Sequence, residues 1–301
     1  MSRPVVRRLP LSLGSLACAL AIVAAPLAAP VAAQSPSPAD SCPPVRQVAS
    51  AAPSGVVEQP DLTVFAAASL TDAFEALREP WQAAHPGSEL MLSFDASSML
   101  RTQIEEGAPA DVFAAADARD AQALVDDCLA PRSVTPFAGN TFVVVVPIDN
   151  PAGIQSPADL ARRGVRVVAA APAVPVSRYT TEVIENLGVL PGYPSDFAAA
   201  VAANTVSEED NVRAVLAKIE LGEGDAAIAY VTDAISSDHV AQLAIPDEAN
   251  VSAAYAAVAI ADSEEPAMAA AFLAFLVGPE AQAILAGHGF LPVIEASSSP
   301  G

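Results

Sequence analysis

Leu62-Thr63-Val64-Phe65-Ala66-Ala67-Ala68-Ser69-Leu70-Thr71-Asp72-Ala73-Phe74 changes its hydrophobic period midway, and that change reads as a fold. Leu62 to Phe65 is a short apolar run with β-branched and aromatic members, as in a buried strand. Leu70, Ala73, Phe74, Leu77 and Trp81 then recur at helical spacing, until His85-Pro86-Gly87 ends the pattern. Between the two periods lies Ser69, placed to cap the helix, with Asp72 three residues on. A strand, a small or hydroxyl residue and a helix form the repeating unit of an α/β protein.

The same unit recurs outward from this stretch. Leu90 to Phe94 reads as a strand, and Ser97 or Ser98 opens a helix that runs to Gly107. Asp111 to Ala115 is a third strand, after which Ala116-Asp117 begins a helix. Asn140 to Pro147 and Val165 to Ala169 are apolar almost throughout, which predicts buried parallel strands. Pro175-Val176-Ser177 starts a helix with Tyr179, Val183, Ile184 and Leu187 on one face. Asp210-Asn211 caps another through Val212, Val215, Leu216 and Ile219, and Ala226 to Tyr230 is a strand reaching a Thr232-Asp233 cap. Tyr255 to Ile260 is one more strand, and Pro266 to Leu276 and Pro279 to Ala286 are closing helices with Pro near N1. At 301 residues the chain has room for two such α/β units.

Composition removes several functions. The chain carries 14 Lys and Arg against 35 Asp and Glu, a formal charge of −21. Nucleic-acid binding needs clustered Lys and Arg on phosphates, so it is not expected. Lys218 is the single lysine, which leaves Schiff-base chemistry, a phosphate-loop lysine and a polybasic membrane patch without their parts. No G-x-S-x-G, H-E-x-x-H, phosphate-loop or G-x-G-x-x-G motif is present, and no enzyme is expected. His85, His239 and His288 lack a helical i, i+4 partner, so no metal is expected as a direct ligand of side chains.

The N-terminal 33 residues have the pattern of an export signal. Arg3, Arg7 and Arg8 precede an apolar run from Leu9 to Pro30, and small residues follow at Val31, Ala32 and Ala33. Prolines at 10, 26 and 30 interrupt that run, which disfavours the alternative of a membrane anchor. Cleavage after Ala33 removes three Arg and no acid, taking the charge from −21 to −24. Residues 34–60 hold six prolines without apolar periodicity and read as a Pro-rich linker or tail. The location is then periplasmic or extracellular, with cell-surface association open. Cys18 leaves with the signal, and Cys42 and Cys128 remain as an even pair in an oxidising setting, which suggests one disulfide over two free thiols.

Ligands of open parallel sheets sit beyond the carboxyl ends of strands, where helix N-termini converge. Ser69, Ser97, Ala116, Val176 and Val212 occupy those positions, and none is charged. Helix N-termini offer free N–H groups and a partial positive charge, which suits an anion. Taken singly, each residue also reads as an ordinary cap or first-turn residue.

An ordered set of strings resembles one family. After the opening stretch come Ser93-Phe94-Asp95-Ala96-Ser97-Ser98-Met99-Leu100, then Gly107-Ala108-Pro109-Ala110-Asp111-Val112-Phe113 with Ala116-Asp117. Asp210-Asn211-Val212-Arg213, Ile228-Ala229-Tyr230-Val231-Thr232-Asp233-Ala234 and Gly278-Pro279-Glu280-Ala281 follow. In this order, over about residues 61–291, they resemble the molybdate-binding proteins of ABC transporters. The resemblance implies a type II periplasmic-binding-protein fold, with residues 61–137 and 245–301 as lobe 1 and 138–244 as lobe 2. It implies an extracytoplasmic binding component that holds molybdate or tungstate, so that metal enters as an oxyanion, and passes it to a membrane permease. No cofactor is implied, and a monomer is expected. Carried over position by position, the ligand donors are the hydroxyls of Ser69, Ser97 and Tyr230 and the backbone N–H groups of Ala116, Val176 and Val212. The alternatives are a protein for another tetrahedral oxyanion such as sulfate, or an exported enzyme on the same fold. Asp95, Asn211 and Ala227 depart from the family pattern. The Asp95 carboxylate is expected to point away from an anion.

Overall fold

The computed structural model describes Cys42 and residues 60–131 and 133–293. The expected export signal lies outside these residues, as does the linker apart from Cys42 and Pro60. The chain runs β1 (Leu62–Ala67), α1 (Thr71–Ala84), β2 (Leu90–Asp95), α2 (Ser97–Glu105), β3 (Val112–Ala115), α3 (Ala118–Asp126), β4 (Thr135–Asn140) and β5 (Phe142–Pro147). It continues with β6 (Val167–Ala170), α4 (Pro175–Gly188), α5 (Phe197–Asn204), β7 (Thr205–Glu209), α6 (Val212–Glu220) and β8 (Ala227–Tyr230). Then come α7 (Val231–Ile235), β9 (Val240–Ala244), β10 (Ala253–Ala259), α8 (Pro266–Leu276) and α9 (Pro279–Gly287).

Lobe 1 is built on a five-stranded sheet in the order β2-β1-β3-β10-β4. β1 lies parallel to β2 and β3, whereas β10 runs antiparallel to β3 and β4. Phe74, Trp81, Phe137 and Phe272 fill its core with tilted and edge-on ring contacts. Burying each such ring contributes about 1.5–3 kcal/mol, which fixes the sheet against α1 and α8. Cys128, in a left-handed conformation (φ 61°) just past α3, is disulfide-bonded to Cys42 across 86 residues of sequence.

Lobe 2 holds β8-β5-β9 and β6-β7. A bridge from Val167 to Ala226, with the Val168 N–H donating to the Ala226 carbonyl at 2.9 Å, connects the two. The chain crosses between lobes twice, at Thr141 and between β9 and β10. β4 pairs with β10 through Asn140, and β5 begins the next sheet at Phe142.

Two local expectations are corrected. The run from Asn140 to Pro147 is two strands broken at Thr141, and β5 pairs antiparallel with both neighbours. All six β5 residues are buried, and an apolar run reports burial on both faces, not strand direction. Ser69 does not cap α1 either; it lies in a 3₁₀ turn, Ala68–Leu70, and Leu70 holds the cap position of α1 with no side-chain cap bond. Among the described residues no single helix is long and apolar enough to cross a membrane.

Candidate functional site

The carboxyl ends of β1, β2, β3 and β8 and the first turns of α2, α4 and α6 meet around one small cavity. Its walls include Ser69, Ser97, Ala116, Val176, Val212 and Tyr230, so all six sequence-predicted residues come together. The remaining lining residues are alanines with Val174 and Pro175, and none of the wall carries a charge. The space they enclose is small and uncharged.

Each position owes its place to local structure. Ser97 and Val212 are the first residues of α2 and α6, and Val176 is the second of α4. N–H groups at these positions have no acceptor within their own helix. Pro175 opens α4 and Asn211 caps α6, its Oδ1 accepting from the Ala214 N–H at 3.0 Å. Tyr230 is 1% exposed, and its hydroxyl has no hydrogen-bond partner among the described residues. Burial, then the neighbouring phenols of Tyr255 and Tyr179, hold the Tyr230 phenol well above its ordinary range, so it keeps its proton. Ala116 differs from the expectation in detail: its N–H donates to Ser97 Oγ at 3.0 Å.

Asp95 is not part of the wall. Its Oδ1 accepts from the Ala96 N–H at 2.7 Å and from Asn211 Nδ2 at 3.1 Å, which turns the carboxylate toward lobe 2. Two arginines of lobe 2 reach across in the same way. Arg178 of α4 grips Asp117, with Nε 3.1 Å from Oδ2, and stands 3.6 Å from Asp120. Arg213 of α6 pairs with Asp72 of α1. These cross-lobe pairs were not legible in sequence, because each joins residues tens to more than a hundred positions apart. The cations nearest the cleft are thereby committed to carboxylates rather than to the cavity.

Arg213 also faces Asp233, whose side chain is fully buried and has no hydrogen-bond partner among the described residues; Arg213 Nε lies 3.4 Å from Oδ1. Burial raises the Asp233 carboxyl to about 7, Arg213 opposes that rise, and Asp72 adds to it. A pKa raised on folding contributes stability that is complete below about 3.8 and lost as pH climbs through about 7. Asp233→Asn is therefore expected to gain thermal stability over the parent as pH rises from about 4 to about 7. Melting curves at several pH values check this; a constant difference across that range contradicts it.

The chain matches the family model described as bacterial extracellular solute-binding protein over residues 62–291. It is similar to the molybdate-binding protein ModA of Mycobacterium tuberculosis strain H37Rv, 36% identical over 230 residues, or 76% of this chain and 84% of that one. It is also similar to ModA of Escherichia coli K12, 31% identical over 246 residues, or 78% of this chain and 90% of that one. The Azotobacter vinelandii periplasmic molybdate-binding protein superposes with a TM-score of 0.64 at 23% identity, covering 77% of this chain and all of that one. The sulfate-binding protein SubI of M. tuberculosis superposes at 0.70 with 21% identity, covering 79% and 88%. These structural likenesses establish a periplasmic-binding-protein fold.

Proposed function

The chain belongs to the bacterial extracellular solute-binding proteins, and from that premise we propose that it binds molybdate or tungstate in the cavity between its lobes. It serves as the binding component of an ABC transporter and not as an enzyme. The observation that carries the ligand class is the wall: three hydroxyls and the orphan N–H groups of helix first turns around a space for one small species, with no charged group. Hydroxyl and N–H groups that can all donate suit a tetrahedral dianion whose oxygens bear no proton. Hydrogen bonds to a charged group contribute about 1.5–3 kcal/mol each. Five of them, less the cost of ordering and closure, give roughly micromolar to nanomolar affinity. Helix N-termini supply the positive field that an acidic chain otherwise lacks.

A panel of thermal shifts with molybdate, tungstate, sulfate and phosphate tests the reading, since a ligand of the folded state raises its stability. Molybdate and tungstate are expected to raise the melting temperature most. A larger shift with sulfate moves the assignment to that anion, and no shift with any oxyanion ends it.

Closure links binding to delivery. Arg178 and Arg213 hold lobe 2 against Asp117 and Asp72 of lobe 1, so they favour the closed form. Part of each arginine remains exposed, which limits the contribution of either pair. Arg178→Ala is expected to raise the molybdate off-rate by about two- to fivefold with a smaller change in on-rate, measured by stopped flow. Equal off-rates contradict a latch. We further read the protein as a monomer outside the cytoplasm that presents its closed lobes to a permease, with residues 34–60 as a tether.

A further inference from the structure

Two serines line the cavity, and the groups behind them decide which way their hydroxyl protons point. Ser69 Oγ lies 2.8 Å from the Tyr255 hydroxyl, a bond in which either oxygen could donate. Asn140 removes that ambiguity. Its Oδ1 accepts from the Thr141 N–H at 3.0 Å, and an N–H cannot accept, so the amide orientation is fixed. Nδ2 then donates to Thr232 Oγ1 at 2.8 Å and toward the Tyr255 oxygen at 3.4 Å. Having accepted from Asn140, the Tyr255 phenol has its single proton left for Ser69. Having accepted from Tyr255, Ser69 has its own proton left for the cavity that it lines. Asn140 and Tyr255 are fully buried and Ser69 is 4% exposed, so water does not compete for these bonds. Ser97 Oγ likewise accepts, from the Ala116 N–H at 3.0 Å, and keeps its own proton to donate.

We infer that Asn140 and Tyr255 are positioning residues that fix the donor polarity of Ser69, a one-way chain from Asn140 through Tyr255 to Ser69 and into the cavity. The inference rests on the oxyanion reading of that cavity. Without the chain, the Ser69 hydroxyl rotates freely, and an anion must order it on binding. Asn140 ends β4 at the first crossing between lobes, and its other donor bond, to Thr232 of α7, ties the same chain to lobe 2.

The test is a cycle of Tyr255→Phe, Ser69→Ala and the double variant, with molybdate affinity measured by calorimetry in each. The Tyr255 ring packs on Phe137, Tyr230 and Phe290, contacts that Phe retains. Tyr255→Phe is expected to weaken binding about tenfold, and to add nothing once Ser69 is Ala. A purely structural role for Tyr255 gives losses that multiply in the double variant, and this overturns the inference. So does an unchanged affinity in Tyr255→Phe. If the parent protein itself binds neither molybdate nor tungstate, the oxyanion reading falls first and the positioning role falls with it.

Discussion

Tyr230→Phe is expected to weaken molybdate binding by about 10- to 150-fold, the equivalent of one hydrogen bond to a charged group at about 1.5–3 kcal/mol. The ligand-free variant is expected to melt no lower than the parent. A buried hydroxyl that makes bonds within the fold costs stability when removed, but Tyr230 makes none among the described residues. Its ring contacts with Phe142 and Tyr255 survive the change to Phe. Loss of affinity without loss of stability marks a group kept for its ligand. Calorimetric titration beside a melting curve separates the two effects. Equal affinity in parent and variant removes Tyr230 from the site, and a lowered melting temperature assigns it a structural role instead.

Val212→Pro is expected to cost a similar factor, about 10- to 150-fold, by deleting a backbone donor and leaving the helix in place. Such a change usually breaks a helix, but position N1 is the exception, because its N–H has no intrahelical acceptor and its φ suits proline. Asn211, the residue before, is already extended at φ −155° and ψ 168°, a region that proline allows in its predecessor. Its cap to the Ala214 N–H is independent of residue 212. The ring also places carbon where the N–H pointed, beside the cavity. Retained helicity with strongly reduced affinity is the expected pair of results. Unchanged affinity would show that the α6 terminus does not hold the anion.

The alternation of strand, small residue and helix was legible because a change of hydrophobic period at Ser69, Ser97 and Val212 marks both a local turn and a place in the sheet. β7 and α5 were not read, since Thr205–Glu209 is half exposed and Phe197–Asn204 is mostly alanine, with little periodic contrast in either. The direction of β5 was illegible for a related reason, as burial on both faces looks the same in parallel and antiparallel pairing. Within the site, residue types at strand ends marked the candidate donors. What orients those donors did not show, because Ser69 and Tyr255 meet across 186 positions and Asn140 and Tyr255 across 115.

Acidity and an anionic ligand are compatible once the two length scales are separated. The formal charge of −21 sets the long-range field, while the cavity meets its ligand with neutral dipoles at contact distance. Repulsion of that kind slows encounter and is screened by salt, with little effect on dissociation.

The most direct measurement is calorimetric titration of the protein with molybdate at about pH 7.5. Saturable binding at one site per chain with a Kd between roughly micromolar and nanomolar is expected. A folded protein that gives no saturable binding with molybdate or with tungstate would contradict it.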